Sequence, residues 1–210
     1  MTPVLVALVA EWIPIPVFSC LAQADAVVMV QVTGVFEKPG NPPTQWARFL
    51  VSDSLKGSLS PGDTFSFQFA ALNQEKIWTS VFYPEAIYFE KGQQRLLLLT
   101  ATQAGYSLYM YYPYAVLYPE NFYPGFTQEL AALMEFDTLG PDTSLLLGFL
   151  NSDSRIIQES GLYLARFCPD SAVASAVMNF TTSEDGVLRR LATEALVRTG
   201  FMSPPEEDEE

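Results

Sequence analysis

The sequence predicts a β-plus-α protein, a five- to six-stranded antiparallel β-barrel followed by a domain of α-helical hairpins. Three observations carry this expectation. Apolar and polar residues alternate at period two in short runs between residues 24 and 118, with Gly- and Pro-rich turns between them. From residue 127 to residue 200, apolar residues instead recur every three to four positions. Tyr123-Pro124-Gly125 separates the two textures, and nothing before about residue 127 reads as helix. The division expected is an export segment or N-terminal arm (1–23), a barrel (24–123), a helical domain (127–200) and an acidic, disordered tail (201–210).

Residues 1–23 begin apolar, and Val4–Ala10 fits the hydrophobic stretch of an export signal. No Lys or Arg precedes Lys38, and Glu11, Pro14 and Pro16 interrupt the run. The segment is too broken to span a bilayer, which takes about 20 apolar residues. Val17-Phe18-Ser19 ahead of Cys20 suits cleavage before Cys20, so Cys20 is a candidate for processing or anchoring. The expected location is therefore exported, periplasmic or extracellular, with this segment as the route to any membrane association.

Ala24–Phe36 is the first strand, with Val28, Val30 and Val32 on one face and a bulge expected at Gly34. Lys38–Pro43 is a loop. The strand Trp46–Gly57 is the centre of the barrel: Ala47, Phe49 and Val51 alternate with Arg48, Leu50 and Ser52. Ser60-Pro61-Gly62-Asp63 ends it. Asp63–Ala70 follows, with Phe65, Phe67 and Phe69 sharing a face. Residues 71–85 read as a loop or short helix plugging one barrel end. Ile87–Phe89 leads to a turn at Glu90–Gln93. Arg95–Thr100 is a strand buried on both faces, Gly105–Tyr112 is another, and Tyr114–Tyr118 holds a short last one. Tyr106, Tyr109, Tyr111, Tyr112, Tyr114 and Tyr118 cluster here, with Tyr123 beyond them. They are the candidate partner-binding residues, because tyrosine is enriched at interfaces. Their plainer role is to close the barrel.

Helices are expected at Thr127–Phe136, Ser144–Leu150, Ser154–Phe167, Ala172–Phe180 and Gly186–Thr199, with Gly200 as the final cap. The last four form two short-then-long pairs. At an offset of about 32, Ile156 falls on Leu188, Ser160 on Ala192, Leu164 on Leu196 and Arg166 on Arg198. A pair of this length buries its apolar stripe only by stacking on a neighbour.

RRLATEALVRTG (Arg189–Gly200) resembles the second helix of a HEAT repeat. Ala192 and Ala195 permit close approach, and Leu188, Leu191 and Leu196 fill the core. The earlier copy, RIIQESGLYLARF, has Ile157 where arginine is common and Ser160 where alanine is. The resemblance covers about residues 144–200 and implies a HEAT-like α-hairpin domain whose first pair packs on the barrel.

The barrel half has its own likeness. ADAVVMVQVTGVF, then WARFLVSDSLKG, then EKGQQRLLLLT resembles the motif order of bacterial TIMP-like (netrin-like) OB-fold domains over about residues 18–118. Cys20, Ala24, Asp25, Val27, Leu55, Lys56, Gly57 and Gly92 match. The resemblance implies an OB-like barrel and, more distantly, protease inhibition. Inhibitors of that family chelate the protease zinc through a Cys-x-Cys N-terminus; here Leu21-Ala22 follows Cys20, and the family's barrel disulfides are missing.

Composition narrows the function. With 49% hydrophobic and 17% charged residues, the chain is not generally disordered. Its net charge is −13, and removing the five carboxylates of Glu206–Glu210 leaves −8, a surface that repels phosphate backbones, so no nucleic-acid partner is expected. The chain has no histidine, which excludes Ser-His-Asp and Cys-His catalysis within it. Cys20 and Cys168 form no C-x-x-C pair; a disulfide between them is an option, and a buried thiol is the plainer reading of Cys168. Asp25, Asp53 and Asp63 are the barrel carboxylates to inspect, with strand-end solvation as their plain role. Glu184-Asp185 faces Arg189-Arg190 at a helix start. No phosphate loop or calcium loop occurs.

No catalytic, cofactor-binding or metal site is therefore expected. The leading expectation is a non-enzymatic, exported protein-interaction module that binds a protein partner. Alternatives are an accessory structural subunit of a membrane-associated assembly and a protease inhibitor.

Overall fold

The computed structural model describes residues 16–39, 44–69, 89–109, 116–117 and 124–204. Helix α1 (Val17–Gln23) comes first. The strands are β1 (Ala26–Lys38), β2 (Thr44–Lys56), β3 (Thr64–Phe69), β4 (Gln94–Thr102), β5 (Gly105–Leu108) and β6 (Val116–Leu117). Helices α2 (Phe126–Met134), α3 (Thr143–Leu150), α4 (Arg155–Ala165), α5 (Ser171–Met178) and α6 (Gly186–Thr199) complete the chain.

The strands form one antiparallel sheet in the order β3-β2-β1-β4-β5, with β6 also on β4. Because each neighbour is antiparallel to the last, β3 and β5 run in the same direction. They approach each other and nearly close the sheet into a barrel. No ladder joins them among the described residues; side chains do, with the Phe65 and Tyr106 rings 6.0 Å apart, and Tyr106 Oη also lies 3.0 Å from Ser58 Oγ of the β2–β3 connection. The arrangement fits an OB-like barrel.

Period two decides which side chains enter the barrel. Val28, Val30 and Val32 of β1, Ala47, Phe49 and Val51 of β2, Phe67 of β3 and Leu97 and Leu99 of β4 make its interior, with Phe89 beside them. Phe49 anchors this core, 4.8 Å from the Phe67 ring and 5.0 Å from Phe89. The register of β1 on β2 shifts between Val32 and Gly34, the bulge expected at Gly34. β4 is buried on both faces, because Leu96 and Leu98 leave the barrel for a second core.

That second core joins the barrel wall to the helices. Val27, Leu96, Leu98 and Leu117 meet Val17, Cys20 and Leu21 of α1, and the same cluster runs on through Phe126, Leu130, Leu146, Phe149, Ile157, Leu162 and Leu196. The helices stack as two hairpins, α3 beside α5 and α4 beside α6, with α4 also against α1 and α2. Gly161 allows α3 and α4 to approach closely, since a Cβ there would lie 3.0 Å from Phe149 Cβ.

One expectation needs correcting: α1 is a helix far ahead of residue 127. Seven residues do not hold a helix in water alone. Tertiary contacts hold this one, with Val17 and Leu21 fully buried, each contributing about 2 kcal/mol. Its signal was hidden because Pro16 is the N-cap without a side-chain hydrogen bond, and no acidic residue marks the first turn. The expected segments 71–85 and Tyr111–Tyr114 lie outside the described residues. Among the described residues, no helix is long and apolar enough to cross a membrane.

Candidate functional site

Most of the residues that carried the barrel resemblance converge on one junction; Gly92 lies apart from it, its amide donating to the Val32 carbonyl at 2.8 Å. Lys56, at the end of β2, donates from Nζ to the Leu21 and Ala22 carbonyls, both at 2.9 Å. These carbonyls belong to the last turn of α1, which lacks intrahelical donors, so the cation both caps them and complements the helix dipole. Gly57 follows at φ 98°, and a Cβ there would lie 2.7 Å from Ala26 Cβ and from the Asp25 carbonyl oxygen. Asp25 Oδ2 accepts from the Ala101 amide at 2.8 Å, tying the start of β1 to β4. Leu55 packs against the shared core. The motif thus has a structural explanation: it fastens α1 to the barrel.

Cys20 lies on the buried side of α1, 3% exposed, and is a free thiol, as is Cys168. Burial pushes its pKa up to about 11, so it is protonated at neutral pH. Cleavage immediately before Cys20 would remove Val17, which is fully buried, and Phe18, whose amide donates to Ser160 Oγ at 3.2 Å.

Of the six candidate tyrosines, Tyr106 and Tyr109 are described; Tyr111, Tyr112, Tyr114 and Tyr118 lie outside the described residues, as does Tyr123. Tyr106 packs against the barrel interior at the β3–β5 closure. Tyr109 packs against the helical core and donates to Gln23 Oε1 at 2.8 Å. Burial, and then the nearby Cys20, raise its hydroxyl above the ordinary pKa. These two half-buried tyrosines belong to different cores rather than to one open patch.

The barrel carboxylates likewise do local work. Asp53 Oδ1 accepts from the Ser54 amide and Asp63 Oδ2 from the Ser60 amide, both at 2.8 Å. At the start of α6, Asp185 caps the Val187 and Leu188 amides at 2.9 and 3.3 Å. Its ion-pair partner is Arg155 of the other hairpin, whereas Arg189 Nη1 donates to the Ser183 carbonyl at 2.6 Å. Arg155 also pairs with buried Glu159 at 2.6 Å, so one guanidinium links α4 to the head of α6.

A different surface has the composition of an interface. On α1, α4 and α6, half-buried aromatic rings and arginines form a ladder. The Phe18 ring lies 6.4 Å from Tyr163, and Tyr163 lies 6.0 Å from Phe167 in an edge-on contact. Arg166 Cζ sits 4.6 Å from the Tyr163 centroid and Arg198 Cζ 5.6 Å from that of Phe167. Arg166 Nη2 reaches Glu194 at 3.1 Å. Tyr163 lies on α4, and Phe167 lies two residues past its end, in the turn that follows. Sequence reasoning did not single out this face, although the repeat overlay had already set Arg166 on Arg198, and both lie over a ring.

An apolar hollow lies between α4, α5 and α6, lined by Ala165, Cys168, Val173 and Leu196 among others. It measures about 150 Å³ with its open mouth included and leaves no room for a water molecule. That is well below the roughly 300 Å³ at which small-molecule sites begin. Among the described residues, no group of three His, Cys, Asp or Glu side chains could hold a metal ion. Comparison of the chain with protein-family models, with curated proteins and with solved structures found no match.

Proposed function

We propose that the protein is a non-enzymatic interaction module, an OB-like barrel carrying a HEAT-like helical cap, which binds a protein partner through the α1–α4–α6 face. The observation that carries this reading is the ladder of Phe18, Tyr163, Arg166, Phe167 and Arg198 on the helical surface. Aromatic residues and arginine dominate binding energy at interfaces: the rings bring large contact area at low entropic cost, and the guanidinium brings a planar set of donors. The repeat geometry supports the helical-cap part: Ile156 and Leu188, Ser160 and Ala192, and Leu164 and Leu196 are each buried in both copies.

The proposal keeps export, with the cleavage point moved ahead of α1. Residues 1–15 precede α1, so an export segment ending before Pro16 would keep Val17, Cys20 and Leu21 in the chain. Mass spectrometry of the native N-terminus tests this; a chain starting at Cys20 overturns it. The protease-inhibitor alternative needs Cys20 at a free N-terminus, whereas here it sits inside α1, so the interaction module is preferred.

The test is photo-crosslinking in native extract, with benzoylphenylalanine in place of Tyr163 and, as a control, in place of exposed Ser66 on the barrel wall. A reproducible adduct specific to position 163 is expected. No adduct, or the same adducts from both positions, overturns the reading.

A further inference from the structure

Resting on the interaction-module reading and narrowing it, we propose that the α6 side of this face takes a carboxylate-bearing peptide segment, an acidic stretch of the partner, with Arg198 as its anchor. In a chain of net charge −13, α6 holds three arginines and one glutamate. Glu194 is engaged by Arg166, and Arg189 is turned to the Ser183 carbonyl. Arg198 is exposed and lies over the Phe167 ring, and no carboxylate among the described residues forms an ion pair with it. A guanidinium placed over a ring has lost much of its rotamer freedom before binding, and its planar N–H fork matches the two oxygens of a carboxylate.

Charge range separates a peptide from a nucleic acid. At physiological ionic strength, fields fade over about 8 Å. A segment with two or three carboxylates can stay within the local field of α6. A nucleic acid carries phosphates far beyond it, onto a surface whose net charge opposes them.

The experiment is an NMR titration of the full chain, following the Arg Nε–Hε signals. The probes are a capped pentaglutamate peptide, a capped pentaglutamine peptide, a phosphoserine pentapeptide and a ten-residue oligo-dT. The glutamate peptide is expected to move the Arg198 signal while the glutamine peptide does not, and raising salt should weaken the effect. Arg198→Gln, checked for unchanged thermal stability, should weaken binding about tenfold, the scale of a charge-assisted hydrogen bond; Arg198→Lys should fall between. The proposal is overturned if the glutamate peptide leaves Arg198 unmoved or binds the Arg198→Gln variant equally. It is also overturned if phosphopeptide or oligo-dT moves Arg198 where the glutamate peptide does not. The crosslinking at position 163 is independent of these outcomes, so a partner captured there with Arg198 silent would discard this inference and keep the module.

Discussion

Among the described glycines, Gly57 is the least able to change. It holds φ 98°, and a Cβ would meet Ala26 Cβ and the Asp25 carbonyl oxygen at 2.7 Å. Both the left-handed backbone and the contact oppose any side chain, so Gly57→Ala should cost about 3 kcal/mol in urea unfolding. Its neighbour Lys56 acts through charge. Lys56→Met keeps the stem but leaves the Leu21 and Ala22 carbonyls without their donor, and should cost about 1 to 2 kcal/mol, less at high salt. Cys20 makes a prediction in pH. The folded thiol keeps its proton up to about 11, whereas the unfolded one ionises near 9.0. Rising pH between those values therefore favours the unfolded chain, and stability should fall there. At neutral pH, iodoacetamide should modify Cys20 only on unfolding; rapid native modification would contradict its burial.

At the level of elements, helix–helix contacts set what can vary. A methyl on Gly161 would press on Phe149 Cβ at 3.0 Å and the Leu150 amide at 3.2 Å. Gly161→Ala should therefore cost about 1 to 3 kcal/mol by forcing α3 from α4, read as a drop in denaturation midpoint. The α4–α6 link titrates. The hydrogen bond from Arg155, assisted by the Val187 and Leu188 amides, holds the Asp185 pKa below its ordinary 3.8. A depressed carboxylate contributes stability above its unfolded pKa and loses it as pH falls, so the effect is confined to pH below about 4. Asp185→Asn keeps a capping oxygen but loses the charge; it should flatten the acid limb there, with only about 0.5 kcal/mol lost at neutral pH because the pair is partly exposed. Elements with strong periodicity were legible in advance: β2 by its alternation around Phe49, α6 by its stripe and by Gly200, which caps it at φ 80°. α1 was not, because a seven-residue helix after Pro16 owes its existence to partners distant in sequence, Ser160 and Lys56 among them.

Across the whole molecule, the same limit explains what was legible of the candidate site. Composition and period showed the barrel and the helical pairs, since each is a local pattern repeated. The Tyr163–Arg166–Phe167–Arg198 face depends on how α4 lies on α6, which periodicity does not encode. Tyrosine density pointed to Tyr106–Tyr118, of which the two described tyrosines, Tyr106 and Tyr109, hydrogen-bond within the scaffold. The fold itself joins the two expected halves: Val27, Leu96 and Leu98 of the barrel wall share a core with α1, α4 and α6. A partner of the proposed kind, bound on the helices, would thereby be coupled to the barrel through that core. Native-state hydrogen exchange in increasing urea tests that unity most directly. The most protected amides of β1 and β4 and those of α4 and α6 should merge into one unfolding isotherm, since none can open without exposing the common core. Separate isotherms, with the helices releasing while the strands stay protected, would contradict it.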